Sequence, residues 1–126
     1  MAKALISQQN YYTDVELDSY RVHVDEPKNV GGQNLGPKPT ELLDAALASC
    51  TAITLKMYAD RKQWELGDLY VEAKRIVNIK GESTFRISLS TNVELSDEQK
   101  DKLLEIADKC PVHKMLDQNE MKTSWI

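Results

Sequence analysis

Thr40-Glu41-Leu42-Leu43-Asp44-Ala45-Ala46-Leu47-Ala48-Ser49-Cys50-Thr51-Ala52-Ile53-Thr54-Leu55 decides the fold of this chain. It reads as the first half of one long helix. Thr40 is placed to cap free backbone N–H groups, and Glu41 and Asp44 suit the positive N-terminal end. The pattern predicts a helix running to about Lys62, roughly 23 residues and about 35 Å. Residues 45–55 are uncharged and apolar or small on every face, which predicts burial all round. One sheet face of a 126-residue domain cannot surround such a helix. A second copy of the chain is the expected cover.

Upstream, Tyr11, Thr13, Val15 and Leu17 alternate with polar residues, and Val22 and Val24 stand against Arg21 and His23. Both read as half-buried strands in a hairpin turning at Asp18-Ser19, with residues 3–8 as an earlier strand. Residues 26–39 hold Pro27, Gly31, Gly32, Gly36, Pro37 and Pro39, a loop long enough to shape a site. Downstream, strands are expected at about 68–77 and 83–93, turning at Lys80-Gly81-Glu82. The second has Phe85, Ile87 and Leu89 alternating with Arg86, Ser88 and Ser90. Ser96 with Gln99 forms a capping box for a helix carrying Leu103, Ile106, Ala107 and Cys110 on one face. Pro111 opens a short further turn through Leu116. Met121, Thr123 and Trp125 read as a closing strand. Strands, long helix, two strands, two helices and a strand make an α+β fold in a single domain, 1–126.

At 41% hydrophobic and 29% charged residues the chain is globular rather than disordered. Its net charge of −4 gives no electrostatic reason to expect a nucleic-acid partner. Met1-Ala2-Lys3-Ala4-Leu5-Ile6-Ser7 does not resemble a signal peptide. The longest uncharged helical run, 45–55, is well short of the ~20 residues a bilayer needs. The expectation is therefore a cytoplasmic protein with no membrane partner. There thiols stay reduced, and a cysteine pair is more readily catalytic or metal-binding than a structural staple.

Cys50 and Cys110 are the two cysteines, sixty positions apart. The residues alone leave two readings of Cys50 open, an inert core thiol and a nucleophile. Burial in mid-helix raises a thiol pKa, so a nucleophilic Cys50 needs a cation. Arg61 shares its face but lies roughly 16 Å along the axis. Arg21 or Lys38 could approach from the strand and loop before the helix, in either copy of the chain. Cys110, freed by the break at Pro111, suits a resolving role, provided its Cα comes within about 7 Å of that of Cys50. Glu41 is a first-turn residue that could also aim an arginine, although nine residues place it about 180° around the helix from Cys50. Cys110-Pro111-Val112-His113 with Cys50 and His23 could make a tetrahedral metal set. Zinc sites normally bring two local pairs and this chain has one, so no metal and no cofactor is expected.

Gly31-Gly32, Gly36-Pro37, Glu41-Leu42-Leu43 through Cys50-Thr51, Tyr58-Ala59-Asp60-Arg61-Lys62 and Cys110-Pro111-Val112-His113 together resemble the OsmC/Ohr family, the osmotically induced and organic-hydroperoxide-resistance proteins. The likeness runs over essentially the whole chain and is closer to the plain OsmC-like branch. It implies an OsmC-like fold, with antiparallel sheets wrapped around long central helices in an intertwined homodimer. It also implies a cysteine-based, thiol-dependent peroxidase with sites at the dimer interface. In that scheme Cys50 attacks a peroxide and becomes a sulfenic acid, Cys110 resolves it to a disulfide, and an external dithiol reductant restores the pair. Organic hydroperoxides are the expected substrates, with hydrogen peroxide a second candidate; residues 26–39 and the buried helix would make the pocket apolar and favour the alkyl peroxide. One departure stands out. Where Ohr proteins carry an activating arginine in the N-terminal hairpin, this chain reads Ser7-Gln8-Gln9-Asn10. Where they place its glutamate partner it has Thr40, with Glu41 one later. Arg61 is the first substitute and Arg21 the second. The alternative is a non-catalytic redox-sensing or small-molecule-binding dimer on the same scaffold.

Overall fold

The computed structural model describes residues 1–118 and 120–125. It divides into two compact units, Met1–Leu43 and Asp44–Ile126.

In the first unit β1 (Ala2–Ile6), β2 (Thr13–Leu17) and β3 (Tyr20–Val24) form an antiparallel sheet in sequence order. The β2–β3 turn falls at Asp18-Ser19 as expected: Leu17 pairs with Tyr20, and Asp18 adopts a φ of 38°. Aspartate tolerates that left-handed conformation better than most residues. The following loop is built on Asp25, whose side chain is 1% exposed. Its Oδ1 accepts the N–H of Glu26 at 2.8 Å, and its Oδ2 accepts those of Gln33 and Leu35, both at 3.2 Å. A short 3-10 turn, Lys28–Val30, lies inside this loop. A Cβ at Gly32 would run into the carbonyl of Glu26, so the chain closes there only with glycine.

Helix α1 (Pro39–Lys62) has 24 residues and begins one position before Thr40. Thr40 therefore sits inside the helix and is not its cap. The fixed φ of Pro39 suits the first helical position, and Lys38 becomes the capping residue. Its N–H is satisfied by Glu41 Oε2 at 3.1 Å, one arm of a capping box. By length, and by a mean hydropathy of 1.2 over its most apolar stretch, α1 could cross a bilayer. Its apolar residues instead divide between two faces. Leu47, Thr51, Leu55, Tyr58 and Ala59 are buried, whereas Ile53 and Met57 are 55% and 62% exposed. The expected burial all round is thus not met within one chain. The apolar set exceeds what the other elements of a single copy can cover.

In the second unit β4 (Leu69–Val77) pairs antiparallel with β5 (Ser83–Thr91), Val71 against Leu89 and Ala73 against Ile87. Their turn uses Gly81 at φ 83°, where a side chain would be strained. Helix α2 (Asp97–Ala107) starts at the expected box. Ser96 Oγ accepts from the Gln99 N–H at 3.1 Å, and Gln99 Oε1 accepts from the Ser96 N–H at 3.0 Å. Leu55, Tyr58 and Ala59 of α1 join Leu66 and Leu103, Ile106 and Ala107 of α2 in one core cluster. α2 ends at Ala107, three residues short of Cys110, and α3 (Pro111–Gln118) follows. Residues 121–125 form no strand, contrary to the alternation of Met121, Thr123 and Trp125. A strand exists only where its N–H and C=O groups pair with a neighbour, and among the described residues this segment pairs with neither sheet.

Candidate functional site

Cys110 is the N-cap of α3. Its carbonyl accepts the first helical bond, from the Lys114 N–H at 3.2 Å, and Pro111 occupies the first helical position. At an N-cap the side chain normally accepts from the second and third helical N–H groups. Here the acceptor is sulfur, and the donors are the backbone N–H groups of Val112 and His113. Cys110 is 0% exposed. The middle of α1 brings Cys50 against it, and the two cysteines approach to 2.8 Å with both thiols free. Cys50 is only half-buried, so it is the more accessible of the two.

The two sulfurs lie in unequal fields. Burial pushes the Cys50 thiol up, and its hydrogen bond to Cys110 pushes the same way. The Val112 N–H and the Thr54 hydroxyl oppose these without reversing them. Burial also acts to raise Cys110. The hydrogen bonds it receives from Cys50, the His113 N–H, the Thr51 hydroxyl and the Val112 N–H outweigh that, and hold it below the ordinary thiol range. The Cys50 hydrogen bond is the largest of these lowering effects, and the N–H groups at the helix N-terminus add to it, since amide dipoles there favour an anion. Of the two, Cys110 is therefore the sulfur on which negative charge is better accommodated, and Cys50 the one that holds its proton longer. A pair so close titrates as a unit, and its first ionisation belongs to both sulfurs.

The other candidates stand apart from this pair or have partners of their own. The guanidinium of Arg61 lies 5.9 Å from the ring centroid of Tyr58, eleven residues along α1 from Cys50 (61 − 50). Arg21 is paired with Asp14 at 2.5 Å within the first unit. Glu41 serves the start of α1 and lies 3.9 Å from Lys38 Nζ. His23 Nδ1 is 2.6 Å from the Tyr12 hydroxyl, and His113 Nε2 is 3.9 Å from Asp117 Oδ2. Thr51, Thr54 and Val112 surround the thiols and were not singled out by the sequence pattern. The Cys-Pro step did carry a signal, because a residue before a proline at the first helical position is an N-cap.

The second unit also carries two apolar grooves. One, of about 630 Å³, lies between β5 and α2 beside Leu89, Leu95 and Leu104. The other, of about 600 Å³, is bounded by Ile53, Met57 and Tyr70. Neither is lined by a cysteine.

Residues 31–125 match the family described as OsmC-like protein. An uncharacterized Bacillus subtilis protein, YmaD, is 34% identical over 73 residues, which are 57% of this chain and 49% of YmaD. The matched stretch thus spans about half the length of that curated relative. Among solved structures, an OsmC-like protein from Mycoplasma pneumoniae superposes with a TM-score of 0.75 at 18% identity, covering 93% of this chain and 86% of its own. An organic hydroperoxide resistance protein from Elizabethkingia anophelis gives 0.69 at 24% identity, covering 94% and 87%. At these identities the structural likeness establishes a shared α+β fold. The family match over three quarters of the sequence goes further: this chain belongs to the OsmC-like family.

Proposed function

We propose that this protein is a thiol-dependent peroxidase that reduces organic hydroperoxides with Cys50 and Cys110. The observation that carries the reading is the contact between two free cysteines, one half-exposed and one capping a helix as the preferred site of negative charge. Cys50, the accessible sulfur, attacks the terminal peroxide oxygen while its proton passes to the Cys110 sulfur, the nearest base. The O–O bond breaks, an alkoxide leaves and takes a proton from solvent, and Cys50 becomes a sulfenic acid. The Cys110 sulfur then attacks that of Cys50. An S–S bond forms, the S–O bond breaks, and hydroxide departs as water with the proton Cys110 had held. An external dithiol reduces the disulfide by exchange. Membership of the OsmC-like family, and fold neighbours named for organic hydroperoxide resistance, support the same reading.

The working unit in this proposal is a homodimer. The exposed face of α1, with Ile53 and Met57, is the surface a second copy would cover. The uncharged run of apolar and small residues 45–55 that flanks Cys50 on α1 would favour an alkyl hydroperoxide over hydrogen peroxide. Steady-state turnover with cumene hydroperoxide and a dithiol reductant tests this. The expected kcat/KM exceeds that for hydrogen peroxide by about tenfold or more, as burial of several apolar carbons would give. A higher value for hydrogen peroxide would remove the substrate preference. No turnover with either would remove the peroxidase and favour a redox-sensing dimer, a reading motivated by the absence of any arginine or lysine among the main influences on the two thiols.

A further inference from the structure

Asp14 and His23 are cross-strand partners in β2 and β3, and Tyr12 stands at the entry to β2, all within the first unit. The Tyr12 hydroxyl is 2.6 Å from His23 Nδ1. An imidazole nitrogen is a better acceptor than a phenol oxygen, so the hydroxyl donates. Asp14 completes the group. Its Oδ2 is held by Arg21 Nη1 at 2.5 Å, and its Oδ1 lies 3.7 Å from the same His23 nitrogen. That Oδ1 is buried and has no hydrogen-bond partner among the described residues. A buried carboxylate oxygen left unpaired is costly, and a hairpin needs no such oxygen to form. What would complement it is a positive charge on His23.

We propose that Tyr12, His23 and Asp14 form a one-electron donor site that quenches organic peroxyl radicals, the species from which organic hydroperoxides arise. In this step a peroxyl radical takes an electron from Tyr12. The phenol O–H bond breaks, its proton passes to His23 Nδ1, and an N–H bond forms there. The peroxyl anion so produced takes a proton from solvent and leaves as an organic hydroperoxide. Tyr12 remains as a neutral tyrosyl radical and His23 as an imidazolium. A phenol oxidised with no base beside it must pass through a radical cation or give its proton to water, and a base at 2.6 Å removes that obstacle. Asp14 Oδ1 then faces the charge it lacks in the resting state, and their attraction favours the oxidised side of the step. Arg21 already holds the carboxylate in place. An external dithiol returns the electron, releasing a proton to solvent and becoming a thiyl radical, and His23 hands its own proton back to Tyr12. Tyr12 is half-buried and His23 exposed, so a small radical reaches the pair. The hydroperoxide released is of the class proposed above for Cys50 and Cys110, which places the two chemistries in series.

The donor site is tested with neither peroxide substrate nor dithiol added, so it and the peroxidase can fail separately. Full-length protein is warmed in air with a water-soluble azo initiator, which supplies peroxyl radicals, and the loss of each tyrosine is followed by peptide mass spectrometry. Tyr20, Tyr70 and Tyr11 are 78%, 60% and 50% exposed, and Tyr12 is less exposed than any of them. Accessibility alone would make Tyr20 the first to be lost. The expected result is that Tyr12 is lost first, at least about tenfold faster than Tyr20. His23→Gln keeps an acceptor for the hydroxyl but offers no base. It is expected to slow the loss of Tyr12 at least about tenfold and to leave Tyr20 unchanged. Asp14→Asn keeps the shape and removes the charge, and should slow Tyr12 several-fold; it carries the test should the glutamine variant not fold. Loss in the order of exposure would overturn the proposal. So would loss of Tyr12 at the wild-type rate in a folded His23→Gln or Asp14→Asn protein.

Discussion

Cys50→Ser is expected to abolish peroxide turnover, lowering it at least ~10³-fold, to the uncatalysed background. A serine hydroxyl ionises far above any working pH and cannot displace alkoxide from a peroxide oxygen. The partner variant should behave differently. Cys110→Ser retains the accessible sulfur, so one equivalent of peroxide should still convert Cys50 to a sulfenic acid that dimedone traps. The first step should slow about tenfold or more, because the base beside Cys50 is gone. Turnover should then stop for want of a resolving thiol. The opposite pattern, with sulfenic acid accumulating on Cys110 in the Cys50→Ser variant, would show that charge outweighs access and would exchange the two roles. That outcome has a physical basis, since the hydrogen bond from Cys50 and the N–H groups of α3 hold Cys110 down while burial and its bond to Cys110 hold Cys50 up.

The largest effect on stability is expected at Asp25→Ala. The carboxylate is buried and accepts three backbone N–H bonds, from Glu26, Gln33 and Leu35. Its loss leaves three donors without partners in a loop whose glycines leave no room for rearrangement, Gly32 against the Glu26 carbonyl and Gly36 against that of His23. The expected cost is about 3–5 kcal/mol. Asp25→Asn retains one carbonyl acceptor and should cost about 1–3 kcal/mol. Denaturant unfolding measures both. Amide exchange should lose protection at Glu26, Gln33 and Leu35 first. A loss below ~1 kcal/mol in the alanine variant would mean that the loop holds its shape without this anchor.

Much of the fold was legible because local chemistry and final structure agree. Alternation located β2 to β5, and Ser96 with Gln99 located the start of α2. Where local signals competed, sequence reading went astray. Thr40 looked like the cap of α1, but Pro39 fits the first helical position and Glu41 reaches back to the Lys38 N–H. Cys110 looked like the last core residue of α2, although the following proline marks it as the cap of α3. The closing strand at 121–125 had the right alternation, but among the described residues it pairs with neither sheet. Burial of 45–55 on every face followed from composition, which cannot say which copy of a chain provides the cover.

The site was legible only as two cysteines with distinctive surroundings. Their sixty-residue separation says nothing of distance, and the resemblance to a family supplied the pairing. Thr51 was hidden because, in an apolar helix, a threonine looks like any other small residue. Asp25 was hidden because its partners are backbone groups up to ten residues away.

The central claim is that Cys50 and Cys110 form one redox unit driven by peroxide. Fully reduced protein should be mixed with one equivalent of an alkyl hydroperoxide, alkylated, and mapped by peptide mass spectrometry. The expected result is loss of both free thiols together and a Cys50–Cys110 disulfide within one chain, reversed by a dithiol. Recovery of both thiols unreacted, or oxidation of Cys50 to a sulfenic acid that persists with Cys110 still free, would contradict it.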